Sequence, residues 1–195
     1  MDSPERQADW RRAKRLADAG LKQIRVLIQE NRLRIQTLSA QGVNKENLSK
    51  LEACYKTSAD AAQEYGVELD AVYDYASFLK NQNDYPRAIK LCEWMEAEYR
   101  QTDAPPETRA RLWNLLGICR FWSQDFEESE NYFRNALKSY LDLSKDNPAV
   151  FRPYVARSRN NLAFLLMKSK RYEEAETLYR EALETHRALH VSPRS

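Results

Sequence analysis

Apolar and small residues recur along the last two thirds of the chain with the three-and-four spacing of amphipathic helices, and those helices come in pairs. The clearest pair lies within residues 155–183. Ala163, Ala175 and Ala182 mark positions of close helix approach, and Leu162, Leu166, Tyr172, Leu178 and Tyr179 fill the space beside them. The same pattern stands 46 residues upstream, as Gly117, Phe126, Ser129, Phe133 and Ala136. A further step of 41 residues gives Ala76, Tyr85, Ala88, Cys92 and Met95. Three copies of one helical hairpin follow, over residues 67–102, 103–147 and 148–190. No strand pattern of period two persists, so the predicted class is all-α.

Ahead of the copies, residues 1–66 read as an N-terminal capping helical hairpin. A long helix is predicted over residues 5–39, where Leu21, Ile24, Ile28, Asn31, Ile35 and Leu38 draw one narrow stripe. Such a stripe wants a groove or a partner helix. It packs on the next hairpin as a cap, or it forms a coiled-coil homodimer seam with Asn31 fixing the register. A second helix, with small residues at Ala53, Ala59 and Ala62, runs to about Tyr65, and Gly66 suits the left-handed residue that stops it. Asp84 is placed to cap a helix whose first turn holds Pro86. Residues 123–125 split the middle copy, Asn147 and Pro148 end its second helix, and residues 191–195 form a frayed tail.

Trp113, Leu116, Gly117, Phe133 and Ala136 resemble the signature of the tetratricopeptide repeat, with Ser129 where the first Ala usually stands. In the last copy, Asn160-Asn161-Leu162-Ala163 and Tyr172-Glu173-Glu174-Ala175 are similar to the longer repeats of kinesin light chains. Residues 147–156 resemble the joints of bacterial repeats of that kind. The resemblance covers about residues 68–190. It implies a right-handed α-α superhelix, a solenoid of about three hairpins, preceded here by the long helix and the second one. It also implies a concave surface, lined by the first helix of each hairpin, that takes a peptide or protein partner.

The inward residues on that register are Tyr73, Ser77 and Lys80, then Arg111, Asn114, Ile118 and Phe121, then Arg157, Asn160, Asn161 and Phe164. Asparagines would hold an extended backbone at N–H and C=O, arginines would attract acidic groups, and the phenylalanines would supply apolar pockets. The competing reading is that these residues fill helix-to-helix contacts. The carboxylate clamp of chaperone-binding relatives needs Lys and Asn one turn apart where Tyr73 and Ser77 stand, so a chaperone-tail adaptor is not implied. Nor is motor transport.

Charge and candidate chemistry change this picture little. Basic residues number 31 and acidic ones 29, which gives no global pull toward nucleic acid or membrane. The first 40 residues hold nine Lys or Arg against five Asp or Glu. Arg11, Arg12, Lys14 and Arg15 could meet phosphates, but no aromatic platform or helix-turn-helix accompanies them, so a solvated face is expected. Cys54, Cys92 and Cys119 are odd in number and lack CxxC spacing, the usage of reduced thiols in a cytoplasmic protein. No apolar run is long enough for a signal peptide or a membrane span.

His186 and His190 lie four apart, but Arg187 stands where a zinc-protease motif needs an acid, and no third ligand is evident. Glu127, Glu128, Glu173 and Glu174 follow the hairpin turns, where carboxylates suit helix N-termini. No catalytic set, metal or cofactor is expected. Leu178, Tyr179 and Leu183 lie on the last helix with nothing after them to cover their far side. Two functions follow: a non-catalytic module that holds a peptide, or a self-associating segment of a larger bacterial regulatory or sensor protein.

Overall fold

The computed structural model describes residues 4–42 and 44–190, with the side chains of residues 4–11, 13, 16 and 188–190 excepted. The expectations for Arg11, His190 and residues 191–195 lie outside the described residues. Among the described residues there are eight helices and no strand: α1 (Pro4–Ala40), α2 (Lys45–Tyr65), α3 (Asp70–Asn81), α4 (Tyr85–Gln101), α5 (Pro106–Trp122), α6 (Phe126–Asp146), α7 (Pro148–Lys168) and α8 (Tyr172–His190). The chain divides into two compact units, Met1–Phe78 and Leu79–Ser195.

In the first unit, α1 lies against α2. The middle of the α1 stripe is buried, at Ile28 and Asn31, and Asn31 Nδ2 donates to Ser58 Oγ on α2 at 3.1 Å, while Leu21, Ile24, Ile35 and Leu38 are half-buried. The polar residue that suggested a dimer register is therefore satisfied within its own chain. Asn44 Oδ1 accepts from the Asn47 backbone N–H at 2.9 Å to open α2. Gly66 closes it in the left-handed conformation, φ 63°, where any other L-residue would be strained. Ala59 and Ala62 are fully buried, but Ala53 faces outward, on an open apolar groove with Leu33, Leu38 and Cys54.

In the second unit, α4 to α8 each pack on the next helix in sequence, and α5 also touches α7. The core runs through the small positions that the repeat pattern marked. Phe133 seats its ring over Gly117, so close that a Cβ there would lie 2.6 Å from two ring carbons. Ser129 Oγ donates to the Gly117 carbonyl at 2.8 Å, which explains a serine where the pattern expects alanine. Trp113 Nε1 and the Tyr132 hydroxyl both donate to the Glu96 carboxylate at 3.2 Å, tying α5 and α6 to α4. Arg171 bridges Glu130 on α6 and Glu174 on α8, at 2.8 and 2.6 Å.

Each hairpin turn repeats one backbone solution. Asn83, Gln124 and Lys170 take left-handed φ of 62°, 65° and 62°. The next residue in each case returns its N–H to a carbonyl five back, at 2.9 Å: Asp84 to Leu79, Asp125 to Arg120, Arg171 to Leu166. That is the six-to-one closure of a Schellman turn.

The segment 147–156, expected as a joint, is instead the opening of α7. Asn147 accepts from the Val150 N–H, and Pro148 occupies the first turn, where its missing donor costs little. Pro153 lies inside the helix, within its second turn. Leu178, expected on an uncovered face, packs inward against the core cluster that contains Phe133 and Leu166.

Candidate functional site

The candidate site lies in the second unit, where α5 and α7 run side by side and parallel. Contacts bridge them at two levels. In the middle, Asn161 Nδ2 donates to Asn114 Oδ1 at 2.9 Å. At the C-terminal ends, the rings of Phe121 and Phe164 lie 5.2 Å apart. At the N-terminal ends the helices part over a cavity of about 320 Å³, lined by Glu107, Thr108 and Arg111 of α5, Tyr140 of α6, and Val150, Phe151 and Tyr154 of α7.

The cavity's aromatic wall is built by stacking. Tyr140, almost fully buried, has its ring 5.2 Å from Tyr154 and 6.5 Å from Phe151. The Arg157 guanidinium sits over the Tyr154 ring at 5.1 Å, a cation–π contact that holds a long charged side chain beside the cavity. Arg111 in the lining and Arg157 beside it set two positive charges against the one Glu107 carboxylate in a pocket with an aromatic wall, a net balance suited to an acidic group carried on an apolar or aromatic side chain.

The expected residues fare differently. Asn114 and Phe121 are buried, Arg111, Ile118, Asn160, Asn161 and Phe164 are half-buried, and Arg157 is exposed. Phe121 belongs to the core cluster, and Ile118 and Phe164 pack against it, so these three build the floor of the face. Asn114 and Asn161 are spent partly on each other. One N–H of Asn161 is committed, which leaves its carbonyl and second N–H for another chain. Tyr73 and Ser77 are half-buried on α3 in the first unit. Lys80, also half-buried, belongs to the second unit, and its charge bears on Cys119 of α5.

Tyr140, Phe151 and Tyr154 went unread in the sequence. For Phe151 and Tyr154 the signal is the stripe Phe151, Tyr154, Arg157, Asn161, Phe164, whose three-and-four spacing runs back into the expected joint. Burial pushes the Cys119 thiol up to about 12 and Cys92 well above its ordinary value, so neither is a nucleophile. Among the described residues no group of three or more His, Cys, Asp or Glu could hold a metal ion, and no helix is long and apolar enough to cross a membrane.

Comparison with known proteins agrees with this architecture. Residues 155–192 match the tetratricopeptide repeat. No curated protein matches the chain. Among solved structures, the chain is similar to a double mutant titled MamA RS-1 ArsTM, with TM-score 0.54 and 16% identity over 89% of this chain and 98% of that one. It is similar to MamA 41-end from Desulfovibrio magneticus RS-1 at TM-score 0.53, with the same identity and coverage. At such identity the likeness concerns the fold alone. The fold is all-α, of stacked helical hairpins consistent with a tetratricopeptide-like solenoid.

Proposed function

We propose that the chain is a non-catalytic interaction module that takes an extended peptide or protein segment along the α5–α7 face. The observation that carries this reading is the cavity at the head of that face, with Tyr140, Phe151 and Tyr154 as walls and Arg111 and Arg157 beside it. Next to it, the Asn114–Asn161 pair is fixed in place before any ligand arrives, so little ordering entropy remains to oppose binding. An acidic residue on an extended strand would enter the cavity, and Asn161 would hold the strand's backbone. The finer kinship of the last copy with kinesin light-chain repeats rests on the Asn160-Asn161-Leu162-Ala163 run.

Peptides selected from a displayed random library against the full chain test the reading. Acidic peptides should be enriched, and the double variant Arg157→Ala/Asn161→Ala should bind them about 10-fold or more weakly, as loss of charge-assisted hydrogen bonds implies. Unchanged affinity in a variant of unchanged helicity would remove the α5–α7 face from the proposal.

A second reading, assembly, is favoured by one observation. Tyr172, Tyr179 and Leu183 lie exposed along α8.

A further inference from the structure

The repeat itself shows what an exposed stripe on a second helix of this kind is for. At the 46-residue offset, Tyr172, Tyr179, Leu183 and His186 on α8 correspond to Phe126, Phe133, Leu137 and Tyr140 on α6. On α6 the face from Phe133 to Tyr140 is covered by α7, with these two residues 3% and 2% exposed, whereas Phe126 at the head of the helix stays 41% exposed, as Tyr172 does on α8 at 58%. On α8 the counterparts of Phe133 and Leu137, Tyr179 and Leu183, are 37% and 49% exposed. The face is of a kind that this fold closes with a helix.

The charges beside the stripe say which helix. One flank of the α8 stripe reads Glu176, Arg180, Glu184, Arg187, all exposed. The signs alternate at steps of three and four, so the flank is complementary to itself when reversed. Set antiparallel to a copy of itself about a two-fold axis near position 182, α8 places Glu176 opposite Arg187 and Arg180 opposite Glu184, twice each. Tyr179 and Leu183 interleave in the middle. Arg180 already pairs with Glu176 along the helix at 2.6 Å, an exposed pair that can exchange partners at little cost. A partner helix of one charge sign would meet repulsion at every second position.

We infer that α8 is a self-complementary seam for a second copy of this chain, joined antiparallel across the Tyr179–Leu183 stripe. The inference rests on the assembly reading and is independent of the peptide face. One helix from each copy makes a small interface, at the low end of the range for specific complexes, so the association is concentration-dependent. An isologous contact also closes on itself and stops at the dimer.

Sedimentation equilibrium of the full chain from about 1 µM to 1 mM tests it, a span that brackets weak dimers. The wild type should pass from monomer to dimer within that span. Leu183→Lys should remain monomeric throughout, with an unchanged circular dichroism spectrum. Glu176→Lys should weaken the dimer, and Glu176→Lys/Arg187→Glu should restore it. A dimer that survives Leu183→Lys would overturn the α8 seam while leaving assembly through another surface. A monomeric wild type would overturn both. Failure of the charge exchange to restore the dimer would overturn the antiparallel register.

Discussion

Asn161 on α7 donates its Nδ2 hydrogen to Asn114 Oδ1 on α5 at 2.9 Å, and Asn114 is only 6% exposed. The bond joins the first helices of two successive repeats across the candidate face. Removing Asn161 strips a buried carbonyl of its partner, which costs about 1–3 kcal/mol, whereas removing both side chains together costs less than the two separate losses. A double-mutant cycle of Asn114→Ala and Asn161→Ala in urea should therefore give a coupling of about 1 kcal/mol. Additive losses would show that the pair contributes nothing as a pair.

Gly117 meets the Phe133 ring so closely that a methyl group cannot be added without moving an aromatic side chain buried in the core. Alanine is a better helix former than glycine by about 1 kcal/mol, yet overpacking of a tight core costs about 1–3 kcal/mol. Overpacking wins. Gly117→Ala should lower stability by about 1 kcal/mol, read as a fall in the urea midpoint without a change in m-value. At the corresponding position of the next repeat Ala163 already carries its methyl group, and Tyr179, the counterpart of Phe133, is 37% exposed.

Lys170 holds φ at 62° in the turn between α7 and α8, and its side chain is exposed. An L-residue in the left-handed region carries about 1 kcal/mol of strain that glycine avoids. Glycine also loses more chain entropy on folding, which offsets part of the gain. Lys170→Gly should raise stability by about 0.5 kcal/mol, seen as a slightly higher thermal midpoint. Gln124→Gly, at the corresponding turn, should behave alike.

Tyr132 and Cys119 are among the groups that make the fold sensitive to alkali. Burial, with the nearby Glu96 carboxylate, pushes the Tyr132 hydroxyl from 10 up to about 12. Burial pushes the Cys119 thiol from 9 up to about 12. Both folded values are raised, so the unfolded chain gives up these protons first. Their contribution is whole below pH 9 for the thiol and pH 10 for the hydroxyl, and is lost as the pH climbs through about 12. The thermal midpoint should fall across that interval. Tyr132→Phe should start from a lower midpoint, because Glu96 loses a donor, but should show a shallower fall above pH 10.

Much of the hairpin array was legible because one pattern recurs at fixed offsets. Gly117, Ser129 and Phe133 were visible as a set before their contacts were, since small and large residues must alternate where helices approach closely. Asn31 was not legible in the same way. A polar residue in an apolar stripe fits a dimer seam or a buried hydrogen bond equally well, and only the position of Ser58 separates the two. The opening of α7 was hidden by Pro148 and Pro153, which read as a joint. Proline is tolerated in a first turn, and a single lost backbone bond at Pro153 does not outweigh the packing of Val155 and Ala156, both buried just beyond it. Phe151 and Tyr154 were hidden with that opening, and so was the cavity. An outer face for Leu178 follows from the lack of a later helix, but the residue lies three after buried Ala175 and four before buried Ala182, on the side that meets the core.

Hydrogen–deuterium exchange of the full chain, with and without a saturating acidic peptide from the display selection, tests the α5–α7 face most directly. Binding there should slow exchange in α5 and α7, most of all near Arg111, Asn114, Arg157 and Asn161, and leave α8 unchanged. Protection confined to α1, α2 or α8, with α5 and α7 unaffected by a peptide that does bind, would contradict the assignment.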